Sequence, residues 1–354
     1  MGHTDDLTFM RRCLDLARRA EGATAPNPMV GAVIVHDGVI IGEGYHLKAG
    51  TPHAEAHALN AVGDKTLLPH SVMYVSLEPC SHHGRTPPCA DLIISSGIRK
   101  VVVGTVDTSI KVAGRGIARL REAGVEVVTG VAERECRMIN RRFFTWHERQ
   151  RPWVILKWAR SADGFIDLVR STDDPVEPHW ITGMTERILV HRWRAAEDAI
   201  LAGGATVRAD NPSLDVRFWK GKNPLRVIVS RSGNMDPHSK VFDGSTETLL
   251  FTCNENVSLP GIQIIRLTEK SDFVHDILRT LHSMGVQSLF IEGGAFMIKS
   301  FIEAGAWDEA RRFTGMMSFG NGVPDPFPGM VAEKSFHFEK SKLEITYHFD
   351  GNFV

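Results

Sequence analysis

The chain has 354 residues, 43% of them apolar, enough for two domains that each bury a core of their own. Formal net charge is −1, and residues 1–150 carry 18 Lys and Arg against 16 Asp and Glu, leaving 23 against 26 for the remainder, so no clustered basic face points to nucleic acid. No apolar run reaches the length of a membrane span, the N-terminus MGHTDDLTFMRRC lacks the apolar core of a signal peptide, and the five cysteines (13, 80, 89, 136, 253) are scattered, so the chain reads as cytosolic, free of membrane and free of a disulfide framework.

The first predicted element is a helix over HTDDLTFMRRCLDLARRAEG, with Leu7, Met10, Leu14 and Ala17 on one stripe, Thr4 as N-cap and Cys13 as a small core residue. VGAVIVHDGVIIGEGYH predicts a hairpin, since two apolar runs flank Asp37-Gly38, the pair a tight primed turn requires. A short helix follows at TPHAEAHALN, with Thr51 as N-cap and Pro52 at the first helical position. SVMYVSL is a strand of the buried type and leads into the Glu78-Pro79-Cys80 loop. CADLIISSG is a helix ending on Gly97, and KVVVGTVD the next strand; GIARLREAG and VEVVTG repeat the alternation. Strands alternating with helices predict an α/β layer fold.

Within this half, His53, Cys80 and Cys89 offer one imidazole and two thiolates, the three protein ligands of a hydrolytic zinc site that leaves its fourth position to water. A zinc ion so held lowers the pKa of water toward neutrality, and a carboxylate beside it can shuttle the proton. Glu55 has the reach. Two residues apart on a helix point roughly 200° away from each other, but within the first turn a long side chain can converge on the same cavity. Pro87-Pro88 places Cys89 at a helix start, where unpaired N–H groups favour a thiolate. The zinc nucleobase-deaminase signature is H-x-E followed by P-C-x-x-C; here eight residues separate Cys80 from Cys89 rather than two. The intervening SHHGRTPP is polar and proline-stiffened, which suits a substrate-binding loop, with His82 and His83 open to that contact. His57 stands four after His53 and could also ligate, but a metalloprotease order needs Glu, not Ala54, after the first histidine, so a packing or hydrogen-bonding role is preferred.

From His147 to Arg151 a polar, charged run meets Pro152, which reads as a linker over 147–152 between domains at 1–146 and 153–354. The alternation then restarts: WVILKWA, DAILAG, LRVIVS, TLLFT, IQIIRL and SLFIEGG are strands, and residues 183–194 and 272–285 are helical. Glycine pairs at two strand ends, Gly203-Gly204 and Gly293-Gly294, let a phosphate approach a helix start and suggest a dinucleotide at the sheet's carboxyl edge.

A resemblance sharpens both halves. PNPMVGAVIV, GEGYH, PHAEAHAL and LEPCSHHGRTPPCADLI resemble the deaminase domain of the bifunctional riboflavin-biosynthesis deaminase–reductase family over most of residues 5–146, and in that family the long inter-cysteine loop is the norm. ILKWARSADGFI, HWITG, HRWRAAEDAIL, GGATVRADNPSLDVR, PLRVIVS and FIEGGA resemble its reductase domain. The resemblance implies a cytidine-deaminase-like three-layer α/β/α domain followed by a dihydrofolate-reductase-like α/β domain. It implies zinc-dependent deamination of a diaminopyrimidinone ribosyl phosphate and NADPH-dependent reduction of the ribosyl group to ribityl. Carried over by motif, Ala159, Trp180, Thr206, Asp210 and Gly294 contact NADPH, while Arg194, Leu214, Arg217 and Glu292 line the substrate side. The two arginines suit a phosphate; Lys157 is a candidate contact to the sugar and Asn27 to the pyrimidine ring. The chain departs from the family pattern at Arg160, Ala162, Ser230 and Arg311-Arg312, where a locally different cofactor pocket is expected. The oligomeric state stays open, a homo-oligomer included. Two rivals share the zinc motif: a nucleic-acid-editing deaminase, and a structural zinc module beside an inactive reductase-like domain.

Overall fold

A computed structural model describes residues 3–81, 87–109, 112–169, 178–268 and 272–349. The chain divides into two compact units at Gln150/Arg151. In the first, the elements run α1 (His3–Arg18), β1 (Gly31–His36), β2 (Val39–Tyr45), α2 (Ala54–Ala61), β3 (Val72–Leu77), α3 (Cys89–Ser96), β4 (Lys100–Thr105), α4 (Arg115–Glu122), β5 (Glu126–Thr129), α5 (Glu133–Ile139) and α6 (Arg141–Arg149). α6 thus occupies three of the residues read as linker. The five strands form one sheet in the order β2-β1-β3-β4-β5, antiparallel at β2-β1-β3 and parallel from β3 to β5.

Period-two alternation along the strands builds the layers. Val33 and Val35 of β1 pack with Met10, Cys13 and Leu14 of α1 and with Cys136 of α5. Ala32 and Ile34 face the other way, onto Ala54 and Ala58 of α2 and Ile93 of α3. The result is the expected α/β/α sandwich. Asp37 and Gly38 both take positive φ, 45° and 80°, closing the β1–β2 hairpin in the predicted primed turn.

Three local expectations are corrected. α1 begins at His3, so Thr4 lies inside its first turn and does not cap it; the Thr4 side chain lies outside the described residues. Leu7 falls off the buried stripe and is 37% exposed, while Leu16 is buried instead. α2 starts at Ala54 with His53 as its N-cap, because Thr51 spends its hydroxyl on the Lys48 carbonyl in a preceding turn. His53 therefore has an extended backbone (φ −77°, ψ 169°), and the helical 200° separation from Glu55 does not apply.

The second unit contains β6 (Trp153–Arg160), β7 (Phe165–Asp167), α7 (Met184–Ala196), β8 (Ala199–Gly203), α8 (Gly204–Asp210), β9 (Leu225–Val229), β10 (Thr248–Thr252), β11 (Gln263–Arg266), α9 (Phe273–Ser283), β12 (Ser288–Ile291), α10 (Ala295–Glu303), β13 (Glu309–Gly315), β14 (Val323–Pro324), β15 (Lys334–His337) and β16 (Ser341–Tyr347). A nine-stranded sheet runs β11-β10-β9-β8-β12-β6-β13-β16-β15, parallel through β13 and antiparallel beyond it. Leu156, Leu201, Leu249 and Phe251 pack on one face against Ile277 and Leu281 of α9 and Ile298 and Phe301 of α10.

β13 is the strand that charge concealed. Arg311 and Arg312 are only 5% and 3% exposed. Arg312 donates to Glu344 Oε2 from Nε (3.1 Å) and Nη2 (3.0 Å) and lies 3.4 Å from Asp325. Arg311 donates to Glu309 (2.7 Å) and its guanidinium sits 4.4 Å from the Trp193 ring centroid. Arg160 joins the same network, with Nη1 2.9 Å from Asp325 and Nε 3.1 Å from Thr314 Oγ1, and Trp158 Nε1 also donates to Asp325 (2.9 Å). The departures at Arg160 and Arg311-Arg312 are thus absorbed by carboxylates, since an unpaired buried charge would be untenable. Among the described residues, no helix is long and apolar enough to cross a membrane.

What positions the first unit's loops is Glu78, directly after β3. Its buried carboxylate accepts four backbone N–H groups: Asp107 (3.2 Å) and Gly114 (3.0 Å) on Oε2, Gly116 (2.9 Å) and Ile117 (3.2 Å) on Oε1. Gly116 can approach because it has no side chain; a Cβ there would meet the Pro79 carbonyl at 1.9 Å. Glu78→Gln sets an amide NH₂ against two N–H donors. We expect a loss of about 2–4 kcal/mol in denaturant unfolding of this unit, with lowered metal content because Cys80 follows two residues on. Unchanged stability would refute the role.

Candidate active sites

Three separate elements deliver the first constellation. His53 caps α2, Cys80 lies in the loop after β3, and Cys89 opens α3. His53 Nδ1 is 3.6 Å from Cys80 Sγ and 3.4 Å from Cys89 Sγ, and all three donor atoms lie within 4.8 Å of one another. Tetrahedral zinc with bonds of about 2.0 Å to nitrogen and 2.3 Å to sulfur puts those atoms about 3.5 Å apart, so the donor set fits that ion. The Cys89 N–H points at Cys80 Sγ (3.3 Å). Donation from the Cys89 side chain, with His53 and this N–H, holds the Cys80 thiol far below its usual pKa, at about 4. Glu55, 3% exposed, is held above the usual carboxylate range by burial, which outweighs the opposing pull of His53.

Asn27 is connected to this cluster through His46, a residue the sequence reading left unassigned. The His46 ring meets the His53 ring edge-on, with centroids 5.2 Å apart. His46 Nδ1 lies 3.2 Å from the Pro52 carbonyl and Nε2 lies 3.1 Å from Asn27 Nδ2. The carbonyl can only accept, so Nδ1 carries the proton and Nε2 accepts from Asn27. Burial pulls the His46 pKa down. Its signal in the sequence was only a histidine at a strand end. His57 does not join the donors; its Nε2 is buried with no partner among the described residues. His82 and His83 lie outside the described residues.

In the second unit Lys157, Arg194 and Glu292 converge. Arg194 grips Glu292 with two bonds, Nε to Oε1 at 2.6 Å and Nη2 to Oε2 at 3.0 Å, and donates from Nη1 to the Asp215 carbonyl (3.0 Å). Lys157 Nζ is 3.6 Å from Glu292 Oε2. Burial alone would raise the Glu292 carboxyl, but Arg194 and Lys157 reverse this and hold it at about 2. Burial pulls Lys157 down. Leu214 is buried with φ 50°, and the Arg217 guanidinium pairs with Asp215 while the Arg217 backbone N–H donates to His191 Nδ1 (3.1 Å).

A cavity of about 570 Å³ opens beside these residues, lined by Gly203, Gly204, Thr206, Ser230 and Gly294 among others. Thr206 Oγ1 accepts from the Gly294 N–H (2.9 Å), binding the two glycine turns together. A Cβ on Gly204 would come within 2.9 Å of the Ser230 Cβ, so glycine lets α8 start close under β9. Backbone N–H groups and small residues along a long crevice fit a dinucleotide. Asp210 ends α8, one turn beyond Thr206, and Ala159 lies on β6; neither lines the cavity. Trp180 also stands apart, 50% exposed with the Arg187 guanidinium 3.8 Å from its ring centroid.

Two family models match the chain. The one for the cytidine and deoxycytidylate deaminase zinc-binding region covers residues 3–105, and the one for the RibD C-terminal domain covers 152–347. The riboflavin biosynthesis protein RibD of Aquifex aeolicus is 38% identical over 347 residues, spanning 96% of this chain and 95% of that protein. Its counterpart from Bacillus amyloliquefaciens is 36% identical, spanning 96% and 91%. The crystal structure of the diaminohydroxyphosphoribosylaminopyrimidine deaminase/5-amino-6-(5-phosphoribosylamino)uracil reductase of Thermotoga maritima superposes with a TM-score of 0.85 at 36% identity, over 97% of this chain and 98% of that one. With a zinc-deaminase half, a reductase half and relatives alignable along nearly its whole length, the chain belongs to the RibD family of riboflavin biosynthesis proteins.

Proposed function

We propose that the first unit deaminates a diaminopyrimidinone ribosyl phosphate and that the second reduces the ribosyl group of the product to a ribityl chain, with zinc and NADPH as the two cofactors. The observation that carries this reading is a His–Cys–Cys donor cluster within 4.8 Å beside the buried Glu55. His53, Cys80 and Cys89 hold the zinc, which supplies the Lewis acidity that makes water a nucleophile near neutral pH. Glu55 accepts a proton on its carboxylate and hands it to the departing amine; its raised pKa suits a group that must both take and give. Asn27 holds the pyrimidine ring. His46 occupies one of its N–H groups, which fixes the amide's orientation and leaves Oδ1 for the substrate.

In the second unit NADPH supplies the hydride, and the chain's own residues place the sugar. Of the five N–H groups on Arg194, Glu292 and the Asp215 carbonyl engage three, so two remain for the substrate phosphate. Arg217 completes that contact, Leu214 and Glu292 line the substrate side, and Lys157 bonds the sugar. Thr206 and Gly294 contact the dinucleotide at the crevice, and Ala159, Trp180 and Asp210 are carried over from the family resemblance as cofactor contacts beyond the cavity lining. The substrate is a small molecule rather than nucleic acid, as the even charge balance favours, and the enzyme works in the cytoplasm; a homo-oligomer is compatible with this reading.

Glu55→Gln should keep its zinc and lose deamination by about 10²–10⁴-fold, whereas Cys89→Ser should lose both zinc and deamination while still reducing a pre-deaminated substrate. Metal analysis with ammonia release and NADPH oxidation reads these outcomes, and undiminished ammonia release from Glu55→Gln would refute the role of the carboxylate. Arg194→Ala should raise KM for the phosphorylated substrate by about tenfold or more, the loss of a charge-assisted contact. An unaltered KM would remove Arg194 from the phosphate site.

A further inference from the structure

α7 presents two residues to the loop that follows α8. His191 and Arg194 stand three apart on this helix, on one face of it. Arg194 Nη1 donates to the Asp215 carbonyl (3.0 Å), and the Arg217 backbone N–H donates to His191 Nδ1 (3.1 Å). Between them the Val216 N–H donates to Asn223 Oδ1 (2.8 Å). Three consecutive residues are thus each held at the backbone by a side chain. The loop needs this support, because Leu214 just before them has φ 50°. A left-handed backbone disfavours any side chain and persists only where its surroundings hold it.

His191 is 3% exposed and has no part in the chemistry proposed above. A backbone N–H can only donate, so Nδ1 must be bare and the proton of the neutral ring sits on Nε2. Protonation would set a donor against a donor. Burial, with Arg194 and Arg217 nearby, holds the ring's pKa down at about 4, so at neutral pH Nδ1 stays an acceptor. The Phe218 ring packs against the His191 ring at 68°, with centroids 4.7 Å apart, which fixes the residue after Arg217 as well. The Arg217 guanidinium lies 5.1 Å from the same Phe218 centroid and pairs with Asp215, keeping its remaining donors for an anion.

We propose that His191 is a positioning residue for substrate binding: its bare Nδ1 fixes the Arg217 backbone and thereby aims the Arg217 guanidinium at the substrate phosphate. The inference rests on the assignment of Arg194 and Arg217 to that phosphate. NADPH oxidation by the full chain compares the deaminated pyrimidine ribosyl phosphate with its dephosphorylated nucleoside. His191→Leu should raise KM for the phosphorylated substrate by about tenfold, with kcat and the nucleoside KM within about twofold of wild type. His191→Asn, which returns an acceptor near the Nδ1 position, should recover most of the loss. His191→Gln carries its acceptor beyond that position and should show the loss if the leucine variant does not fold. In an Arg217→Ala background, His191→Leu should add less than about twofold, because its effect runs through Arg217. An unchanged KM, equal losses on both substrates, or full additivity with Arg217→Ala overturns the positioning role and leaves the phosphate assignment standing. A wild-type chain with equal KM for the two substrates overturns both.

Discussion

Two sulfurs and an imidazole nitrogen held within 4.8 Å of one another set the terms for the first unit. With both cysteines ionised the two thiolates would repel, so that state is favourable only with a cation between them and donors behind them. The chain supplies the donors: the Cys89 N–H at the start of α3 faces Cys80 Sγ, and the three ligands come from three elements whose spacing the sheet fixes. Glu78 extends the same logic outward. By accepting four N–H groups from the 107–117 loop, it fastens that loop beside the Pro79-Cys80 turn.

The two units each bury a glutamate and treat it in opposite ways. Burial lifts the Glu55 carboxyl, and the pull of His53 does not cancel it. At Glu292 the same desolvation is overcome by Arg194 and Lys157, leaving the carboxyl at about 2. The environments therefore separate two chemically identical groups by function. Glu55 is suited to carry a proton back and forth; Glu292 stays ionised and orients the cations around it. The first unit needs a proton carrier because an amine leaves. On the proposed assignment, the second uses a fixed charge to orient the cations that would meet a sugar phosphate.

Residues whose chemistry restricts their use were the legible ones. A histidine and two cysteines on strand-to-helix junctions have few other reasons to coincide, and the glycine pairs at 203–204 and 293–294 marked the crevice that the structure contains. Strand and helix alternation was legible for the same reason: apolar runs such as VMYVSL and TLLFT have nowhere to go but a core. β13 was not, because Arg311 and Arg312 look like surface charges until Glu344, Asp325 and Trp193 are beside them, and Glu344 stands more than thirty residues along the chain. Glu78 was missed for a related reason. Its partners are backbone N–H groups, which every residue except proline has, so no sequence pattern marks them. The α2 start was misplaced because Thr51 had a competing local acceptor, and that shift is what brings His53 and Glu55 to the same side.

Topology explains why these residues meet at all. β1 runs antiparallel to both β2 and β3, so the start of β1 and the ends of β2 and β3 share one edge of the sheet. Asn27 precedes β1, His46 follows β2, and Glu78 and Cys80 follow β3. Residues far apart in sequence are delivered to one edge by strand direction alone, where ladder pairing stops and helix starts present free N–H groups. The second unit reaches the same end with parallel strands, whose carboxyl ends all lie along one edge. Glu292 follows β12, Ser230 follows β9 and Gly204 follows β8. In both units the site sits at such an edge because buried charge needs donors there, and that edge is where the backbone still has them to give.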